Sequence, residues 1–85
     1  MTVNIEITPT FDNRRKFIEL GYNIAYYRKH AGLTQEQLAE EVGVSRQHIG
    51  AIEAPNILRP ISLDLLFNIS YILDVEPHKL LTFRD

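Results

Sequence analysis

The stretch TQEQLAEEVGVSRQHIGAIE, Thr34 to Glu53, contains the feature that most limits the fold: a helical pattern stops at Gly43 and a second one restarts at Ser45. Gly43 can take the positive φ that a residue with a Cβ resists, which ends the first helix sharply. Ser45 can cap the next helix through its hydroxyl. Upstream, Thr34 is followed three residues later by Gln37, the pattern in which cap and third residue satisfy each other's amides. Leu38, Ala39 and Val42 form the apolar face of the first short helix, Ile49 and Ile52 that of the second, and Val44 enters the angle between them. The spacing therefore predicts two short helices meeting at a steep, fixed angle.

The flanking segments supply a support for that pair. From Phe11 to Ala31 the period is helical, with Phe17, Leu20, Ile24, Tyr27 and Ala31 on one face, Asp12 as N-cap and Gly32 as the stop. Pro55 ends the Ser45–Glu53 helix, and NILRPI reads as a loop. Ser62 caps a fourth helix through Leu73, with Ile61 as a hydrophobic staple. Asp74 falls where a turn residue is wanted, and Pro77 opens a last short helix carrying Leu80 and Leu81. Residues 2–8 instead alternate, with Val3, Ile5 and Ile7 on one side, so residues 1–10 read as an arm containing a short β-strand ended by Pro9. Its partner would be the C-terminal LLTFRD or a second copy; the same residues read equally as a frayed terminus. The domain proper spans 11–85.

Composition excludes several classes. Eighty-five residues without cysteine make one small domain that neither disulfides nor a zinc site can reinforce. A chain of this size buries only about 60 per cent of its unfolded surface, which favours tight helix packing or association with a second copy. ISLDLLFNISYILDV is interrupted by Asp64 and Asn68 and is too short to span a bilayer, and MTVNIEITPT lacks the basic start and apolar run of a signal peptide. A cytoplasmic protein is expected. An enzyme is not: His30, His48 and His78 fall on separate predicted elements, no Gly-rich phosphate loop occurs, and Glu40 and Glu41 point in different directions along a helix. No cofactor is implied.

Net charge is −2, but its distribution is uneven. Residues 11–30 carry five basic against two acidic side chains, and residues 45–60 two against one. A basic surface must come from folding those segments together.

On a wheel, the side of helix 45–53 opposite Ile49 and Ile52 is centred on Gln47, includes Gly50 and Ala51, and is flanked by Arg46 and His48. That front suits the DNA major groove. Arginine can donate two bonds to guanine, glutamine can pair two ways with adenine, and an alanine methyl can rest on thymine. A mid-helix glycine costs about 1 kcal/mol against alanine, consistent with a need for close approach. Polar residues opposite an apolar stripe are also how any surface helix looks, and Gly50 equally relieves a helix–helix contact.

The longer stretches LGYNIAYYRKHAGLTQEQLAEEVGVSRQHIGAIEA and RPISLDLLFNISYILDVEPHKLL decide the matter, because they resemble the phage-repressor/Cro-like (Xre-type) helix-turn-helix domains across about residues 17–81. The resemblance implies an all-α, compact five-helix, lambda-repressor-like domain that binds double-stranded DNA as a small transcriptional regulator, a repressor by default, on the nucleoid. It assigns base reading to Arg46, Gln47, His48 and Ala51, although His48 could equally approach the backbone or solvent. It assigns phosphate contacts to Gln35, at the start of the second helix, and to Thr34, Ser45, Asn56 and Arg59. It matches Arg28 and Glu53 to an ion pair tying the first helix to the end of the recognition helix.

Two departures stand out. Relatives usually carry an Asn/Arg-Gly-Lys turn after the glutamate, whereas Ala54-Pro55-Asn56 occurs here, and Pro55 lacks an amide donor. Leu65, Tyr71 and Ile72 stand where relatives more often have polar or small residues, which suggests a homodimer interface or, alternatively, coverage by the long first helix or the N-terminal arm. Two other readings fit the same residues: an antitoxin that also grips a toxin, or a protein–protein adaptor that kept the fold without DNA.

Overall fold

A computed structural model describes residues 12–57 and 59–83. These form five helices and no strand: α1 Arg14–His30, α2 Gln35–Val42, α3 Arg46–Glu53, α4 Leu63–Leu73 and α5 Pro77–Leu80. The strand expected over residues 2–8 lies outside the described residues.

The caps explain most boundaries. Thr34 Oγ1 accepts from the Gln37 amide at 3.0 Å while Gln37 Oε1 accepts from the Thr34 amide at 2.9 Å, so both halves of the capping box are present. Ser45 and Ser62 accept from the amides three residues on, each at 3.1 Å. The first helix starts later than its apolar period suggests. Asn13 is its N-cap and contributes no side-chain bond; Asp12 Oδ1 accepts the Arg14 amide at 2.9 Å from outside the helix.

Three helices end by one device. Gly32, Gly43 and Asp74 are left-handed, with φ of 76°, 78° and 57°. In each case the following amide (Leu33, Val44 or Val75) donates to the carbonyl five residues back, on Arg28, Ala39 or Ser70, at 3.0–3.1 Å. Leu33, Val44 and Val75 then pack against the core. A left-handed residue, an apolar plug and the next helix's cap thus recur as Gly-Leu-Thr, Gly-Val-Ser and Asp-Val-Glu.

The core sits where the helices converge. Ile24, Leu38, Ile49, Leu66, Ile69 and Leu80 are its fully buried large side chains, one or more from each helix. Phe17, Tyr27, Val42, Ile61 and Ile72 close its margin. Ala31, on the expected apolar face of α1, is instead its exposed C-cap. Asn23 fastens α1 to the C-terminal segment by donating to the carbonyls of Leu80 and Thr82 at 2.9 and 3.0 Å.

Leu65 corrects an expectation. It is 8% exposed and belongs to the protomer's own core, so it cannot line a subunit face. Helical spacing explains why: Leu65, Leu66, Ile69 and Leu73 form the inward stripe of α4. Leu63, Phe67 and Tyr71, spaced four apart, form an outward apolar row at 64%, 49% and 83% exposure.

Candidate nucleic-acid interface

The helix expected to read bases is α3, held from behind by Ile49 and Ile52, which are 0% and 4% exposed. That anchoring turns Arg46 and Gln47 to solvent, with His48, Gly50 and Ala51 half-buried beside them. Ser45 is both exposed and engaged as the cap, so its hydroxyl lies at the rim of this front. His48 is the most recessed of the expected base readers apart from Ala51, and its backbone amide is the one that Ser45 receives.

Two glycines have opposite reasons. A Cβ on Gly21, midway along α1, would overlap the carbonyl oxygen of Ile52, so α1 approaches the end of α3 more closely than any side chain allows. A Cβ on Gly50 would meet only Gln35 Oε1, at 3.6 Å, an ordinary contact. Among the described residues, helix packing therefore does not require the glycine of α3. Gly21 carried its own signal in the sequence, since a glycine inside a 17-residue helix sacrifices helix propensity for some gain elsewhere.

The far end of α3 is held by charge. Arg28 Nε donates to Glu53 Oε2 at 2.7 Å and Arg28 Nη2 to Glu53 Oε1 at 3.0 Å, a two-pronged pair whose side chains are 8% and 6% exposed. Arg28 Nη1 also donates to the Leu33 carbonyl at 2.7 Å, so the guanidinium is satisfied by the carboxylate and by the α1–α2 corner. Gln35 joins this group: its Nε2 donates to Glu53 Oε1 at 3.0 Å. A side chain expected to face phosphate thus spends a donor inside the protein, a link that sequence spacing alone did not reveal because Gln35 and Glu53 meet only once α2 and α3 pack.

At the start of α2, the capping box satisfies the amides of Thr34 and Gln37. Among the described residues no partner takes the amides of Gln35 and Glu36, the first two of the helix, and they lie at its positive end, where an anion is favoured. Asn56 and Arg59 are exposed in the loop after α3. Ala54 is extended (ψ 128°), as a residue before proline must be, and Ile57 donates to the Ala54 carbonyl at 3.4 Å to close a turn over Pro55 and Asn56. That turn contains no left-handed residue among those described, in keeping with the Pro55 departure. No group of three His, Asp or Glu side chains among the described residues comes together to hold a metal ion.

Comparison with known proteins places this arrangement. A helix-turn-helix family model matches residues 24–80. The transcriptional regulator SinR of Bacillus licheniformis is 36% identical over 66 residues, which cover 78% of this chain and 59% of that protein. This chain therefore spans little more than half the length of the curated relatives it matches. The restriction-modification controller protein C.AhdI of Aeromonas hydrophila superposes with a TM-score of 0.75 at 30% identity, covering 82% of this chain and 99% of the controller. The biofilm master regulator SinR, in a crystal structure with DNA, superposes with a TM-score of 0.68 at 36% identity, over 74% of this chain and 98% of that one. With its matched region, its five helices and its glycine-turned α2–α3 pair, the chain belongs to the helix-turn-helix family of the Xre/Cro-like, lambda-repressor-like type.

Proposed function

We propose that this chain is a sequence-specific double-stranded DNA-binding regulator of transcription, acting as a repressor in the cytoplasm on the nucleoid. The observation that carries the reading is the anchored α3, whose Arg46 and Gln47 stand in solvent while Ile49, Ile52 and Glu53 are held inside. Similarity to SinR bound to DNA supports it. In this reading Arg46 and Gln47 select bases, with Ala51 and His48 beside them. The start of α2 at Thr34 and Gln35, together with Ser45, Asn56 and Arg59, meets phosphates.

The working unit in this proposal is a homodimer, whose two α3 helices enter successive major grooves about 34 Å apart on a roughly palindromic site. Its supporting feature is the exposed row Leu63, Phe67 and Tyr71, with the half-buried Ile72 at its margin. Large apolar patches are uncommon on monomers.

Selection of bound sequences from a random duplex pool, with affinity measured at two salt concentrations, tests the function. Enrichment of a two-part motif with roughly one helical turn between half-site centres is the expected outcome. Recovery of an unenriched pool would overturn the reading in favour of an adaptor, and co-purification of a small unrelated protein would favour an antitoxin.

A further inference from the structure

Gln35 lies across one flank of the recognition helix. Its Nε2 donates to Glu53 Oε1 at 3.0 Å, and its Oε1 sits 3.6 Å from the place of a Cβ on Gly50. Gly50 and Glu53 are three apart and so neighbours on the same side of α3, the side that Gln47 continues toward the front. One amide therefore spans the helix between its buried end and its exposed face, from the first residue of α2.

We infer that Gln35 is a positioning residue for the recognition helix, setting the rotation of α3 about its own axis through the hydrogen bond from its side-chain amide to Glu53. The inference rests on the DNA-binding reading above. The buried contacts fix where α3 lies: Ile49 and Ile52 fill the core, and Gly21 lets α1 touch the Ile52 carbonyl. Arg28 holds the Glu53 carboxylate from the α1 side, and Gln35 holds the same Oε1 from the α2 side. Tethers from two different helices on one carboxylate limit its roll more than the ion pair does alone. A roll of about 20° would displace a side-chain tip on a helix of roughly 5–6 Å outer radius by about 2 Å. That shift is enough to break the paired hydrogen bonds by which arginine and glutamine discriminate bases. With the Gln35 side chain so engaged, anion binding at this corner falls to the backbone amides of Gln35 and Glu36.

The test is Gln35→Met, which keeps length and volume and removes the donor. Residual dipolar couplings on the free protein read the orientation of α3 against α1 and α4. In parallel, affinities are measured for the selected duplex and its single-base-pair variants. The expected result is a reorientation confined to α3 and a loss of about threefold or more in discrimination at the base pairs facing Arg46 and Gln47. An unchanged α3 orientation, or an equal fall in affinity for every duplex with discrimination intact, would overturn the proposal and return the side chain to a phosphate role. If the wild-type chain selects no sequence, the DNA reading fails by itself, and the couplings still decide whether Gln35 orients α3.

Discussion

Arg28 and Glu53, 25 residues apart in the chain, meet through two parallel hydrogen bonds of 2.7 and 3.0 Å with both side chains almost wholly buried. Burying two ions is costly, and what keeps the pair in place is that every prong of it is matched. Removing one partner strands the other in the interior. Arg28→Met or Glu53→Leu should each lower unfolding free energy by about 3–5 kcal/mol, whereas the double replacement Arg28→Met/Glu53→Leu should cost clearly less than the two singles added. Urea unfolding of the four proteins measures this, and additive costs would show that the residues act independently.

The two helix glycines should respond in opposite directions to the same change. Gly21→Ala drives a methyl into the Ile52 carbonyl and should destabilise by about 1–3 kcal/mol, as overpacking does. Gly50→Ala meets open space apart from an ordinary contact with Gln35, and should stabilise by up to about 1 kcal/mol while weakening binding to the selected duplex. Thermal melts and a binding titration of both variants check it. A Gly50→Ala protein with unchanged affinity would show that the groove does not come that close.

Asp74 is the described non-glycine residue with positive φ, at 57°, and it places a carboxylate at the carbonyl end of α4. Conformation and helix dipole both disfavour it. Asp74→Gly should therefore raise stability by about 0.5–1 kcal/mol, or several degrees in Tm for a domain of this size. Differential scanning calorimetry reads the shift, and a lower Tm would mean that the carboxylate has a partner elsewhere.

In the proposed reading, base selection and phosphate binding are separable by substitution. Gln47→Ala should alter which duplexes are preferred. Arg59→Ala should weaken all duplexes alike and reduce the slope of log affinity against log salt by about 1. Competition titrations at several salt concentrations distinguish the two patterns.

Tyr71→Asp alters a side chain that is 83% exposed, and should leave the protomer's fold intact while converting the proposed dimer to monomers. Sedimentation velocity combined with far-ultraviolet circular dichroism reads both properties. A dimer that survives this change would move the interface off the outer face of α4.

Most helix boundaries were legible in the sequence because capping is local chemistry: Thr34, Gln37, Ser45 and Ser62 each bond an amide three residues away. The left-handed stops at Gly32 and Gly43 are legible for the same reason. The start of α1 was misplaced by a residue or more, since the apolar period continues upstream of Arg14 while Asp12 bonds from outside the helix. Leu65 was assigned to the wrong side of α4 by comparison with what relatives tend to carry, although its own spacing from Leu66, Ile69 and Leu73 points inward. The couplings Gly21–Ile52, Gln35–Glu53 and Asn23–Leu80 depend on how helices pack, and nothing in a linear spacing encodes which carbonyl or carboxylate will arrive.

The three like-built corners also bear on how quickly the chain reaches its native state. Each corner is decided by bonds spanning five residues, so the helices can be stopped and turned before any distant segment is found. Topologies dominated by such short-range decisions belong to the rapid end of the folding spectrum. Docking of α1 onto the end of α3, through Gly21 and Arg28, joins residues at least 25 apart in the chain and is expected to follow those local decisions, so that α3 gains its final support last.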